Sequence, residues 1–126
     1  MQNNKIVFKF SNTELTAITR DTPTAKAILA ALPIQSTTQT WGEEVYFTVP
    51  VNSKLESNAR DIVNPGEIAF WVEGSCIAIG FGPTPISQGD EIRLAAATNI
   101  WADAEQDVRS LLNVDSQESV IVDWYR

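Results

Sequence analysis

Two apolar runs, Glu67-Ile-Ala-Phe-Trp-Val72 and Ser75-Cys-Ile-Ala-Ile-Gly80, stand only Glu73-Gly74 apart, and this spacing leaves the middle of the chain little choice. A linker that short reverses an extended chain onto itself, so the two runs are expected to form an antiparallel hairpin. Gly74 is expected to supply the positive φ of a tight turn. The aliphatic and aromatic content of both runs places the hairpin in a core. Phe70 and Trp71 are neighbours on one strand and so face opposite sides of the sheet. One fills the interior, and the other faces a helix, a groove or solvent.

The rest of the chain repeats this short-strand pattern. Lys5 to Phe10 alternates Ile6, Phe8 and Phe10 on one side, and Glu14 to Thr19 follows across the turn Ser11-Asn12, a second hairpin. Ile34 to Thr40 is Thr- and Gln-rich but compatible with a strand, and Trp41-Gly42 marks a bend or bulge. Glu44 to Val49 is a clear strand ended by Pro50, and Glu91 to Ala95 is another. Asn58 to Val63 fits either an extended segment or a helical turn. Glu118 to Trp124 is the last strand, and laying it beside the first would close the sheet and remove two exposed edges.

The period changes twice. Between Asp21 and Pro33 the apolar residues Ala25, Ile28, Leu29 and Leu32 fall three and four apart. Thr22 suits the N-cap of a helix there, Pro23 its first turn, and Pro33 its end. Trp101 to Leu112 gives a second helical stripe through Trp101, Ala104, Val108, Leu111 and Leu112. Asp103 lies near its start, Arg109 near its end, and Asn113 stands as a C-cap. A chain of 126 residues supports one hydrophobic core rather than two, so residues 1–126 read as a single domain. Several short strands with only two helices suit a closed or half-closed barrel capped at its ends, not a βαβ series.

Charge and the rarer residues narrow the function. Sixteen acidic residues against nine basic ones give a net charge of -7, with no cluster of Lys or Arg, so no nucleic-acid partner is expected. No apolar run approaches the roughly 20 residues of a membrane-spanning helix, and the start lacks a signal-like apolar stretch. The expectation is no membrane association and a cytoplasmic location. Cys76 is the one cysteine, read as a buried strand thiol whose pKa burial raises and which is therefore inert. With no histidine, neither a Ser-His pair nor a usual zinc site can be built, and neither metal nor cofactor is expected. Asp103, Glu105 and Asp107 read as a solvated helix face. Glu43 and Glu44, adjacent on a strand, face opposite ways, and Glu44 reads as a surface or edge charge or as a partner for Arg93.

From Gly66 onward the sequence becomes less generic. Gly66-Glu-Ile-Ala-Phe-Trp71, followed by Cys76-Ile-Ala-Ile-Gly-Phe-Gly-Pro-Thr-Pro-Ile-Ser87, resembles the small prokaryotic cyclophilin-like proteins of uncharacterised function. Asp21-Thr-Pro-Thr-Ala25, Leu32-Pro33, Trp41-Gly-Glu-Glu-Val-Tyr-Phe47, Ala59-Arg-Asp61 and Glu91-Ile-Arg93 are similar to that family in the same order. The resemblance implies a mainly β fold, a closed cyclophilin-like barrel of about eight strands with two capping helices. Active cyclophilins set an arginine beside an aromatic proline pocket, with a histidine nearby.

Three functional readings follow. The first is a module that binds a peptide or small molecule in a barrel groove without strong catalysis. Its contacts would come from Tyr46, Trp71, Phe81 and Thr84, with Arg60 or Arg93 beside them. The second is a peptidyl-prolyl isomerase in which a groove arginine, Arg60 or Arg93, donates to the amide nitrogen as the peptide bond twists. The third is a structural or homo-oligomeric protein joined through Trp124-Tyr125.

Overall fold

The central hairpin forms as the sequence dictates, between strands that pair Ile68 with Ile79, Ala69 with Ala78, Phe70 with Ile77 and Trp71 with Cys76. The computed structural model describes residues 3–126. In chain order its elements are β1 (Lys5–Lys9), β2 (Glu14–Thr19), α1 (Pro23–Ala31), β3 (Ile34–Thr37), β4 (Gln39–Thr40), β5 (Glu44–Thr48) and β6 (Arg60–Val63). There follow β7 (Glu67–Trp71), β8 (Cys76–Gly80), β9 (Ile92–Ala104), a 3-10 helix (Val108–Asn113) and β10 (Ser119–Trp124). Among these residues no helix is long and apolar enough to cross a membrane.

Hydrogen bonding orders the strands β3-β10-β1-β2-β9-β7-β8-β5-β4, every pair antiparallel. The two ends of this path, β3 and β4, are consecutive in sequence and separated only by Thr38. A single kinked segment therefore pairs with β10 on one side and β5 on the other, which nearly closes a barrel and removes its edges. Thr38 is fully buried at the kink. Its hydroxyl donates to the Asp115 carbonyl at 2.7 Å and accepts from the Glu118 amide at 2.9 Å. Ser36 Oγ donates to the Thr48 carbonyl at 2.6 Å across the same seam. As expected, the last strand lies beside the first, with Ile6 opposite Trp124.

Alternation fills the interior. Ile6 and Phe8 from β1, Val45 and Phe47 from β5, Ile68 and Phe70 from β7, Ile77 and Ile79 from β8, and Val120 and Val122 from β10 are all buried in one cluster. Phe8 sits at its centre, with ring centroids 6.4 Å from Phe47 and 6.2 Å from Trp101. Helix α1 adds Ala25 and Ile28 to the cluster, and Thr22 caps it by accepting from the Ala25 amide at 3.1 Å. Packing holds this helix in place, since nine residues are too few to persist alone in water.

Two local expectations are corrected. Gly74 does not supply the positive φ of the hairpin turn; Ser75 does, at 50°, because the loop runs over Val72 to Ser75 rather than two residues. Trp101 to Leu112 is not one helix. β9 continues to Ala104, and only Val108–Asn113 turns, as a 3-10 helix capped by Asp107. The helical spacing was coincidental: Ala69 lies opposite Ile100 and Ile68 opposite Ala102, so Trp101 is the extra residue of a β-bulge. The bulge breaks the two-residue alternation and turns Trp101 into the core, where it is fully buried. Asp103, Glu105 and Asp107 accordingly do not share a helix face. Asp103 binds Arg20, Glu105 contacts Lys5 and Thr16, and Asp107 caps the short helix.

Strand β9 has two roles. Its later part pairs with β2 and β7 in the barrel wall. Its earlier part pairs with β6, Ile62 opposite Arg93 and Val63 opposite Ile92, and lies over the outer face of the wall. There Val63, Ala69, Ala78, Ile92, Leu94 and Ile100 make a second buried cluster, with Tyr46 packed against it.

Candidate functional site

The alternation that fills the barrel also determines what faces outward on β5, β8 and β7. Glu44 and Tyr46 of β5 lie opposite Gly80 and Ala78 of β8, while Cys76 lies opposite Trp71 of β7. These residues share one face of the sheet, and their neighbours Val45, Phe47, Ile77, Ile79 and Phe70 share the other. Small side chains on β8 let the first half of β9 come close. A Cβ on Gly80 would stand 2.4 Å from Ile92 Cγ2, so only glycine fits there. Between the outer sheet face and this returning strand lies a pocket of about 180 Å³.

Three aromatic side chains line the pocket, Trp41, Tyr46 and Trp71; Ala78, Leu94, Ala95 and Ala96 make much of the rest, with Cys76, Thr98 and Glu44 supplying polar atoms. Most of these are already engaged. The Thr98 hydroxyl donates to the Arg60 carbonyl at 2.9 Å, and Cys76 Sγ lies 3.3 Å from the Gly74 carbonyl. Burial raises the Cys76 thiol pKa, a hydrogen bond with Thr48 lowers it, and the charge of Glu44 raises it again; the net shift is upward.

Glu44 is different. It is 6% exposed, and its Oε1 is buried with no hydrogen-bond partner. Burial pushes its carboxyl up to about 7. It is neither a surface charge nor a partner of Arg93, as the sequence reading had it, because the face it shares with Tyr46 is roofed by β9. The turn before it is rigidly placed. The Trp41 amide donates to the Glu44 carbonyl at 3.0 Å around Gly42, whose φ is +60°. A Cβ on Gly42 would meet Thr84 Cα at 2.9 Å and Pro85 Cδ at 2.8 Å. The Glu43 amide also donates to the Pro83 carbonyl at 3.0 Å, and the Phe81 amide to the Glu43 carbonyl at 2.8 Å. The Gly-Pro-Thr-Pro loop thus clamps the turn that carries Trp41 and Glu44.

Of the residues singled out from sequence, Tyr46 and Trp71 line the pocket, and Arg60, Arg93, Phe81 and Thr84 do not. Arg60 donates to both oxygens of Glu67, at 3.0 and 2.7 Å. Arg93 donates to Glu91 at 2.7 Å and to Asp61 at 3.1 Å. Phe81 is buried in the main core with the Arg109 guanidinium 5.9 Å from its ring centroid. The Thr84 hydroxyl bonds to the Arg93 carbonyl and to Ser87. Trp124 is paired into the sheet, and Tyr125 is half-exposed with Lys5 Nζ 4.1 Å from its ring centroid.

Sequence reasoning passed over Glu44, Leu94, Ala95, Ala96 and Thr98 as contacts. The signal for Glu44 was its two-residue spacing from Tyr46, which puts both on one face. The β9 residues carried no signal, since nothing local announces that this strand folds back over the sheet.

Comparison with known proteins agrees with this architecture. The family model described as cyclophilin-like matches residues 4–123. A hypothetical protein from Archaeoglobus fulgidus, known from a solution structure, is 35% identical with a TM-score of 0.83; the match covers 98% of this chain and 95% of that one. McbB, solved in complex with tryptophan, is 12% identical with a TM-score of 0.70 over 94% of this chain and 44% of its own, a likeness of fold alone. No curated protein matches the chain.

Proposed function

The chain belongs to the cyclophilin-like family, and from that premise we propose that it is a binding module for a compact aromatic small molecule, held in the pocket between the outer sheet face and β9. The observation that carries this reading is the lining: three aromatic side chains and an aliphatic floor around about 180 Å³ of space. Apolar cavities of roughly 150 Å³ take a benzene ring, so the volume suits one or two fused rings. Tyr and Trp provide large contact area with little rotamer freedom to lose on binding. McbB, part of which shares this fold, was solved in complex with tryptophan. That ligand is McbB's own, and the reading for this chain rests on its pocket.

Neither arginine that a proline-isomerase reading would need lines the pocket. Arg60 and Arg93 are both ion-paired outside the pocket.

The test is a titration of benzyl alcohol and benzylamine followed by tryptophan fluorescence, and of indole followed by ligand-observed NMR. Half-saturation below about 1 mM, an ordinary affinity for fragments of this size, is expected for at least one probe. Ala96→Phe, which projects a ring into the pocket from β9, should abolish it. Failure of all three probes to bind, or binding unchanged by Ala96→Phe, would overturn the proposal.

A further inference from the structure

We infer that this pocket selects molecules that bring a positively charged nitrogen to Glu44, so that its ligands are compact aromatic amines rather than neutral or acidic aromatics. The inference rests on the small-molecule reading above and adds the charge of the ligand. Its starting point is a buried carboxyl with an unpartnered oxygen, on the sheet face that forms the pocket. A carboxylate accepts and does not donate, so a ligand completes it by donating. An ammonium donates and supplies the opposite charge as well, the stronger kind of hydrogen bond.

The surroundings favour a cation. Trp41, Tyr46 and Trp71 line the same space, and aromatic faces attract ammonium groups. No base of the protein competes for Glu44 in the pocket, since Lys and Arg are absent from its lining. The other titratable groups there are Tyr46, next but one on β5, and Cys76, from β8. β7, β9 and the turn before β5 contribute Trp71, Leu94 to Ala96, Thr98 and Trp41, which carry no charge. The whole chain, at -7, attracts cations and repels anions.

An amine remains protonated across the neutral range, but Glu44, titrating near pH 7, does not remain ionised. Amine binding therefore expels the Glu44 proton when the pH is below that value, and affinity falls as the pH falls. With a free-state pKa of about 7, the loss between pH 8 and pH 5.5 is about 30-fold.

Calorimetric titration of the full chain with benzylamine, benzyl alcohol and phenylacetate, which share one ring and differ in charge, tests this. At pH 8 benzylamine is expected to bind at least tenfold more tightly than benzyl alcohol, and phenylacetate most weakly. The benzylamine preference should shrink at least tenfold at pH 5.5, and proton release should appear at pH 6 as a dependence of the heat on buffer ionisation enthalpy. In Glu44→Gln the benzylamine preference should vanish. Equal binding of benzylamine and benzyl alcohol at pH 8 would overturn the inference while leaving the aromatic pocket standing. If none of the three binds, both fall. The wild-type pH series decides the matter even if the variant does not fold.

Discussion

Glu44 makes the stability of this protein depend on pH in an unusual direction. Its carboxyl titrates near 7 in the fold against an ordinary 4.5, because burial disfavours the charged form. Below pH 4.5 the group is protonated in both folded and unfolded chains and has no effect. As the pH rises the unfolded chain ionises first, so the folded state, which binds more protons, loses stability until the pH passes 7. At 1.36 kcal/mol per unit, the shift corresponds to a loss of about 3 kcal/mol over that window. Urea denaturation at half-unit steps from pH 4 to 8.5, on wild type and Glu44→Gln, isolates the effect from other carboxylates. The difference in unfolding free energy, variant minus wild type, is expected to rise by about 2–3 kcal/mol from pH 4.5 to 7.5 and then to level. Parallel curves across the window would refute the reasoning, because they would mean that Glu44 is solvated or paired in the fold.

Other perturbations probe the frame. Glu67 is held down to about 2: burial alone would raise it, but hydrogen bonds from Arg60, the Asn64 amide and Arg20 outweigh that. Its stabilisation is present above the usual carboxylate range and fades as the pH falls toward 2. Glu67→Gln should therefore cost about 1–2 kcal/mol at pH 7, after discounting for solvent screening, with the gap closing in acid denaturation curves. Gly80→Ala forces a methyl against Ile92 and should cost about 1–3 kcal/mol in chemical denaturation; a neutral result would mean that β9 does not press on the sheet. Thr38→Val strips the Asp115 carbonyl and Glu118 amide of their partner at the barrel seam. It should lower stability by about 1–3 kcal/mol, with faster amide exchange at Glu118 as the local sign.

Strand-level structure was legible because it is locally encoded. The hairpin at Glu67 to Gly80, the strand at Glu44, and the helix between Thr22 and Pro33 each carry their own periodicity and punctuation, and each formed. The pairing of the last strand with the first was legible through the apolar runs at the two ends of the chain, whereas closure at the Thr38 kink between β3 and β4 was not. The failures share one cause: they depend on what packs across space. Trp101 looked helical because a bulge set by β7 breaks the alternation at that residue. Ser75 rather than Gly74 takes the positive φ because the loop spans Val72 to Ser75, while Gly74 makes room for the ring of Trp71, which a Cβ there would meet at 2.3 Å. Glu44 looked solvated because a charge beside another charge is usually exposed, and its roof comes from residues 94–98, far along the chain. Arg60 and Arg93 were candidates for the groove arginine of active cyclophilins, but that Arg60 pairs with Glu67, and Arg93 with Asp61 as well as Glu91, shows only in three dimensions.

The most direct check is a crystal structure of the full chain grown at pH 8 with benzylamine. The ring should lie between the outer face of β5, β8 and β7 and the first half of β9, against Trp41 and Trp71, with its nitrogen within about 3 Å of a Glu44 carboxylate oxygen. An empty pocket at a saturating concentration, or a ring seated anywhere else on the barrel, would contradict the account.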